Sequence, residues 1–98
     1  MKEDDLTQKL LDLKFNVNTI GFEYWKIAIK MQGKRTTSYQ YSTMGLYKDI
    51  AEMYNTTYTR VERAMRYAIA PARENIAFKY KYYRKLTLKA VIRLLGGI

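Results

Sequence analysis

The sequence predicts an all-α protein, a compact helical bundle of about five or six helices that contains a helix-turn-helix. Apolar side chains recur at three- and four-residue spacing along nearly the whole chain, and strand-like alternation never extends beyond a few residues. Only one Pro and five Gly interrupt the 98 residues, and 48% of the residues are hydrophobic. This composition is typical of a folded domain rather than of a disordered tail.

The length and the missing residue types limit the functions that are open to the chain. Residues 1–98 are expected to form one domain, because 98 residues cannot be divided into two stable cores. The absence of Cys and His excludes disulfides, thiol nucleophiles, Cys/His zinc sites and imidazole catalysis. We therefore expect no enzyme, no cofactor and no metal.

The beginning of the chain does not resemble a targeting segment. The acidic start MKEDDLTQ lacks the charge and the apolar stretch of a secretory signal. No apolar run approaches the roughly 18 residues that a membrane-spanning helix needs. We expect a cytoplasmic protein whose residues 1–5 form a mobile tail.

Positive charge is concentrated in the body of the domain. Residues 1–12 contain four acidic and two basic side chains, so the other 86 residues carry 16 basic and five acidic ones, a net charge of +11. Such a surface suits a polyanion, with nucleic acid first and an anionic membrane second. The competing interpretation is that the charge serves solubility alone.

Two amphipathic helices are predicted before the helix-turn-helix. The first, 5–15, has an apolar face made of Leu6, Leu10 and Leu13, with Leu11 as a further candidate. The second, 20–31, has its own apolar face and is predicted to end at Gly33. The members of this second face are Phe22, Trp25 and Ile29, with Ala28 as a further candidate.

The third predicted helix, 42–54, leads into a tight turn. Its apolar positions are Leu46, Tyr47, Ile50, Ala51 and either Met53 or Tyr54. Asn55 is suited to the left-handed backbone position just past the helix end. The small Ala51, the turn residue Asn55 and the β-branched Val61 have the spacing of a helix-turn-helix, in which the second helix crosses the first steeply.

The fourth predicted helix, 57–70, follows after a turn of three or four residues. Thr59 and Glu62 have the spacing of a capping box, while Thr56 or Thr57 would cap the helix one turn earlier. Both arrangements predict a helix that begins directly after the turn.

This fourth helix has an apolar side and a polar side. At 100° per residue, about one third of its circumference is apolar, comprising Val61, Ala64, Met65, Ala68 and Ile69. The opposite side carries Thr56, Thr59, Arg63, Arg66 and Tyr67, flanked by Arg60 and Glu62. Arginine can contact guanine O6 and N7, and glutamate can accept from cytosine N4, so this side is suited to a major groove. The alternative is a solvated surface on which Glu62 completes the cap and pairs with Arg66.

Two segments resemble a known family. GLYKDIAEMYNTTYTRVERAMRYAI, together with GFEYWKIAIKM upstream, closely resembles the DNA-binding effector domain of the master sporulation response regulator family. LYKDIA and NTTYTRVERAMRYAI carry the most specific part of the likeness, and weaker similarity runs from about Leu6 to Leu95. The resemblance implies a compact all-helical module whose recognition helix enters the major groove of a short DNA box. It also implies tandem binding on adjacent boxes. A homodimer that pairs through the apolar last helix is the other arrangement that the sequence leaves open.

The resemblance assigns roles to residues of the fourth helix. Arg60, Glu62 and Arg63 match base-reading positions, and Arg66 matches a basic position of the same helix. The chain departs from the family pattern at Tyr67, where relatives usually have His.

A second departure is Lys48, where relatives usually have Pro. The phosphorylatable receiver domain of the family is not expected either, because Met1 stands only a few residues before the first helix. A stand-alone effector module, or a small relative with a different controller, is the expected domain organisation.

The region after the fourth helix is predicted to be helical with a basic connector. Pro71 should end or kink the fourth helix near Ala70, and ARENIAF should continue as a turn or short helix. KYKYYRK, 79–85, is interpreted as a phosphate clamp with stacking tyrosines, as a connector whose tyrosines pack on the core, or as a membrane-interface segment. The last helix places Leu88, Val91, Ile92 and Leu95 on one face, which is interpreted as core and alternatively as a pairing surface.

Together these patterns predict a sequence-specific DNA-binding transcriptional regulator that uses the 57–70 helix. The residues expected to contact bases are Arg60, Glu62, Arg63, Arg66 and Tyr67. Those expected to contact the DNA backbone are Lys48, Thr56, Thr57, Thr59, Arg73, Lys79, Lys81, Arg84 and Lys85. The alternative is a protein-binding antagonist that pairs with a related regulator through the apolar face of the last helix. A carboxylate-based enzyme is the third and weakest hypothesis.

Overall fold

Six α-helices and one 3-10 turn make up the computed structural model, which describes residues 3–33 and 43–96. The helices are α1 (Glu3–Asp12), α2 (Ile20–Gly33), α3 (Thr43–Met53), α4 (Tyr58–Ile69), α5 (Arg73–Lys79) and α6 (Leu88–Gly96), and the 3-10 turn is Ala70–Ala72. These ranges contain no strand. The predicted all-α bundle is confirmed, including the end of α4 just before Pro71, and α2 is described as far as Gly33.

Helix α2 lies at the centre of the fold and packs against α3, α4 and α6. Its side chain Trp25 is fully buried, as are Ile50 of α3, Met65 of α4 and Val91 of α6. One continuous apolar core therefore joins the four helices. No polar or charged residue is buried within the described ranges.

The predicted apolar faces are confirmed with three exceptions. Leu11, Met53 and Tyr54 are 39%, 60% and 40% exposed, so none of them belongs to the core. Leu11 lies beside the buried face of α1 that contains Leu6 and Leu10, and the buried Leu13 follows just after the helix end. Met53 and Tyr54 lie at the end of α3, where Tyr54 packs edge-on against Tyr24 with ring centroids 5.0 Å apart.

Helices α2 and α4 meet backbone to backbone at the start of α2. A Cβ on Gly21 would fall on the carbonyl oxygen of Ala64 and within 2.6 Å of its carbonyl carbon. One turn later, Trp25 Nε1 donates a hydrogen bond of 2.8 Å to the carbonyl oxygen of Met65. The backbone N–H of Asn16 donates to the carbonyl oxygen of Ala68 at 2.9 Å. These contacts fix the position of α4 on the core.

Three helices end at a left-handed residue that is not glycine. Lys14, Asn55 and Lys81 have φ of 73°, 53° and 52°. After each of them, the next backbone N–H bonds to a carbonyl five residues earlier, as Thr56 does to Ala51 at 2.9 Å. The N–H of each left-handed residue itself bonds to a carbonyl three residues earlier. The two bonds together form the Schellman arrangement, which satisfies the last carbonyls of the helix. Only Asn55 was expected from the sequence, because Lys has no particular preference for this position.

The apolar face of α6 packs inside the molecule, as its interpretation as core predicts. Leu88, Val91, Ile92 and Leu95 are all buried, and α6 packs on α2. At its end, the Cβ of an alanine in place of Gly96 would lie 3.0 Å from the Ile29 carbonyl oxygen. The surface that the antagonist hypothesis required is therefore covered by the chain itself.

We predict that Gly21→Ala destabilises the fold, because the added methyl group meets a backbone carbonyl that cannot rotate away. Overpacking of this kind costs about 1–3 kcal/mol. The midpoint of thermal unfolding should fall by roughly 5–20 °C, measured by circular dichroism.

Gly96→Ala provides the matched control for this prediction. Its added methyl group meets Gln32 and Ile29 at 3.0 Å near the end of a helix, where small shifts relieve the contact. Equal midpoints for wild type and Gly21→Ala would show that the two helices do not meet this closely.

Candidate nucleic-acid interface

Helix α4 begins at Tyr58, two residues before the position that the predicted capping box requires. Thr57 is the N-cap, with extended backbone angles of φ −110° and ψ 155°, and its Oγ1 accepts from the N–H of Arg60 at 3.3 Å. Thr59 lies inside the first turn of the helix, so the predicted Thr59–Glu62 capping box is wrong and the Thr57 alternative is correct. Glu62 is consequently available for another partner.

The turn between α3 and α4 has the predicted helix-turn-helix arrangement. Ala51 is buried where the two helices meet, and Val61 is fully buried in the first turns of α4. Asn55 has a positive φ and ends α3 with the bonding pattern described above. Four residues, 54–57, separate the two helices.

The two sides of α4 have different environments. Val61, Met65, Ala68 and Ile69 are buried against the core, and Ala64 is partly buried beside them. On the other side lies a set of side chains that we call the polar stripe. It consists of Thr59, Arg60, Glu62, Arg63, Arg66 and Tyr67, all exposed except the half-buried Glu62. The fold thus brings together on one exposed surface all five side chains predicted to contact bases.

Within the polar stripe, one arginine is paired. Arg66 Nη2 lies 2.7 Å from Glu62 Oε2, in a salt bridge between positions four apart on the helix. The hydrogen bond to Glu62, and then its negative charge, raise the pKa of the Arg66 guanidinium. Among residues 3–33 and 43–96, the side chains of Arg60 and Arg63 have neither an ion-pair partner nor a hydrogen-bond partner.

An open groove runs along the Glu62 side of the polar stripe. It has a volume of about 280 Å³ and is lined by Thr43, Met44, Tyr47, Tyr58, Glu62, Arg66, Thr87, Leu88 and Lys89. Tyr47 is the buried member of this groove on α3. Burial, and next the charge of Glu62, raise the pKa of Tyr47 to about 12, against a smaller opposite effect of Arg66. The Tyr47 phenol is therefore neutral and lies within the electrostatic reach of Glu62.

Tyr47 was expected from the sequence only as a core residue. Its position beside Glu62 depends on how α3 crosses α4, and periodicity within one helix carries no information about such a crossing. The same holds for Thr87 and Lys89, which reach the groove from the start of α6.

The residues predicted to contact the DNA backbone fall into two groups. Near the start of α4 lie Thr56, Thr57 and Thr59 together with Lys48, whose Nζ stands 5.8 Å from the ring centroid of Tyr58. The second group is on the chain from α5 to α6 and comprises Arg73, Lys79, Lys81, Arg84 and Lys85. Its members are exposed except Arg73, which is half-buried. Arg73 Nη1 donates to the carbonyl oxygen of Leu86 at 2.6 Å and so ties this connector to α5.

The tyrosines of KYKYYRK have divided roles. Tyr80 and Tyr82 pack against the core, as the connector interpretation predicts. Tyr83 is 83% exposed, as is Phe78 just before this segment, while the basic side chains remain in solvent. The clamp interpretation stays a prediction.

The described residues give no support to a metal centre or a membrane span. Within residues 3–33 and 43–96, no three His, Cys, Asp or Glu side chains are placed to hold a metal ion. None of the helices in these ranges is long and apolar enough to cross a bilayer.

We predict that Tyr47 makes the stability of the protein depend on pH between 10 and 12. In that window the unfolded chain releases the phenolic proton at its ordinary pKa of 10, whereas the folded protein retains it up to about 12. The unfolded state therefore binds fewer protons, and stability falls as pH rises, by up to roughly 2 kcal/mol.

The measurement is urea unfolding at pH 9 and at pH 11.5 for wild type, Tyr47→Phe and the exposed control Tyr83→Phe. The loss of stability at the higher pH should be smaller in Tyr47→Phe than in the other two proteins. The same loss in all three would contradict the assignment to Tyr47.

Comparison with known proteins places the chain in a family. No solved structure matches it. The family model described as "Sporulation initiation factor Spo0A C terminal" matches residues 6–89, which include the described parts of α1 to α5 from Leu6 onwards, the whole helix-turn-helix and the start of α6. The chain therefore belongs to the Spo0A C-terminal family of DNA-binding effector domains.

Proposed function

We propose that this chain is a sequence-specific transcriptional regulator that inserts α4 into the major groove of DNA. The observation that carries the proposal is the polar stripe, in which the side chains of Arg60 and Arg63 have no ion-pair or hydrogen-bond partner among the described residues. The other side of the same helix is packed into the core. An α-helix fits a major groove about 12 Å wide. If the positive charge served solubility alone, the arginines would not need to lie together on the second helix of a helix-turn-helix.

The chemistry of the polar stripe suits base edges. Arg60 and Arg63 lie three residues apart, so they emerge from the same side of α4 in successive turns. Each can donate two hydrogen bonds to guanine O6 and N7. Glu62 Oε1 can accept from cytosine N4, and Tyr67, 62% exposed, extends the surface towards the end of the helix.

Phosphate contacts would come from both sides of α4. Thr56, Thr57, Thr59 and Lys48 are at its start, and the half-buried Arg73 and the exposed basic side chains of the connector follow its end. If about six phosphates are neutralised, log affinity should fall against log salt with a slope near −5. We further propose that two copies bind as a homodimer or in tandem on adjacent boxes, the second of which the family resemblance implies.

We predict that Arg60→Ala and Glu62→Ala each lose one base preference. DNA bound by wild type is selected from a random duplex pool, and affinities are then measured for the enriched site and its single-base variants. Each substitution should reduce discrimination at one base pair by roughly 5- to 150-fold, since a good base contact contributes about 1–3 kcal/mol.

Arg93→Ala is the control, because Arg93 is exposed in the last turn of α6 and lies outside the polar stripe. It should retain the selected motif. If both α4 variants select the same motif as wild type with the same discrimination, α4 does not read the bases through these residues.

A second prediction uses Lys14 and Lys81, the two lysines with positive φ. It distinguishes an effect of the lysine charge on phosphate binding from an effect on stability. Lys81→Gly and Lys14→Gly each remove one positive charge, and each replaces a residue with positive φ by the residue that adopts it without strain. Both variants should be as stable as wild type or more stable by up to about 1 kcal/mol.

Only Lys81→Gly should alter DNA binding, because only Lys81 belongs to the proposed phosphate contacts. Its log–log salt slope should be about 0.9 less steep than that of wild type, while the slope of Lys14→Gly stays at the wild-type value. Equal slopes for the two variants would remove Lys81 from the interface.

A further inference from the structure

The salt bridge inside the polar stripe indicates how Glu62 is held in place. This inference rests on the proposed function, in which α4 contacts DNA bases. Arg66 and Glu62 occupy the same surface of α4, and the guanidinium holds one of the two carboxylate oxygens at 2.7 Å. An arginine that is engaged in this way differs from Arg60 and Arg63, which have no such partner in the described part of the chain.

We propose that Arg66 is a positioning residue for Glu62 rather than an independent base or phosphate contact. With Oε2 bound to Arg66, Glu62 has Oε1 without a hydrogen-bond partner in the described part of the chain, so this oxygen can accept from a cytosine N4 amino group. The side chains are 59% exposed for Arg66 and 34% for Glu62, so the carboxylate is the more enclosed partner. Tyr47 and the groove flank the carboxylate on the side towards α3.

Electrostatics also favours a persistent pair. A carboxylate that enters a groove flanked by phosphates is repelled by their negative charge, and the adjacent guanidinium cancels most of this repulsion. A free glutamate side chain also loses much rotational entropy when a base fixes it. In the salt bridge, Glu62 is restrained before DNA binds.

The test is a double-mutant cycle on the consensus duplex recovered by selection from the random pool. Wild type, Glu62→Ala, Arg66→Met and the double variant are compared on that duplex and on its single-base variants. Arg66→Met should reduce discrimination at the base pair read by Glu62 by about tenfold. In the Glu62→Ala background it should cause no further loss there, because Arg66 acts through Glu62.

Two further measurements distinguish positioning from other roles. Arg66→Lys, which retains a cation able to pair across one helical turn, should preserve most of the preference. The salt slope of Arg66→Met should equal that of wild type, with Arg93→Met as the charge-matched control. Both substituted side chains are exposed, and unfolding midpoints verify that the variants are folded.

Three outcomes overturn the proposal. If Arg66→Met reduces discrimination at a different base pair, and this loss adds to the loss caused by Glu62→Ala, Arg66 contacts a base independently. Uniform weakening with a salt slope about 0.9 less steep would make it a phosphate contact. If Glu62→Ala itself leaves every preference intact, the base-reading role of Glu62 in the proposed function fails, and the positioning role of Arg66 fails with it.

Discussion

The crossing of α2 over α4 determines where the polar stripe stands, because Gly21 lets the backbones of the two helices approach without an intervening side chain. The indole N–H of Trp25 and the backbone N–H of Asn16 then bond to carbonyls of α4 one turn apart. A buried N–H left without an acceptor costs about 1–3 kcal/mol. A rotation of α4 that broke these hydrogen bonds would therefore destabilise the fold. The same contacts that stabilise the core therefore orient the arginines.

Most of the fold follows from local patterns in the sequence. The spacing of Leu6, Leu10 and Leu13, or of Val61, Met65 and Ile69, predicts which side of each helix is buried, because helical periodicity alone sets that side. The cap of α4 could not be chosen locally, since several threonines near its start offer equivalent hydroxyl groups. Which one caps depends on the backbone angles that the preceding turn imposes.

The site was less predictable than the fold. Local spacing is sufficient to place Arg60, Arg63 and Arg66 on one side of α4, and also to allow the Glu62–Arg66 pair. Contacts between distant segments are not accessible in this way: Trp25 and Met65 are 40 residues apart, and Tyr47 approaches Glu62 only through the crossing of α3 and α4. Lysine at left-handed positions 14 and 81 has no local signal, because lysine is not a typical turn residue.

The only tryptophan of the chain, Trp25 of α2, donates a hydrogen bond to the backbone of α4. Its indole is fully buried, with Phe15 edge-on at 5.4 Å, on the side of α4 away from the polar stripe. The indole fluorescence of this protein consequently originates from one side chain, on the side of α4 opposite the polar stripe. The molecule therefore carries a buried indole whose fluorescence reports on the contact between α2 and α4.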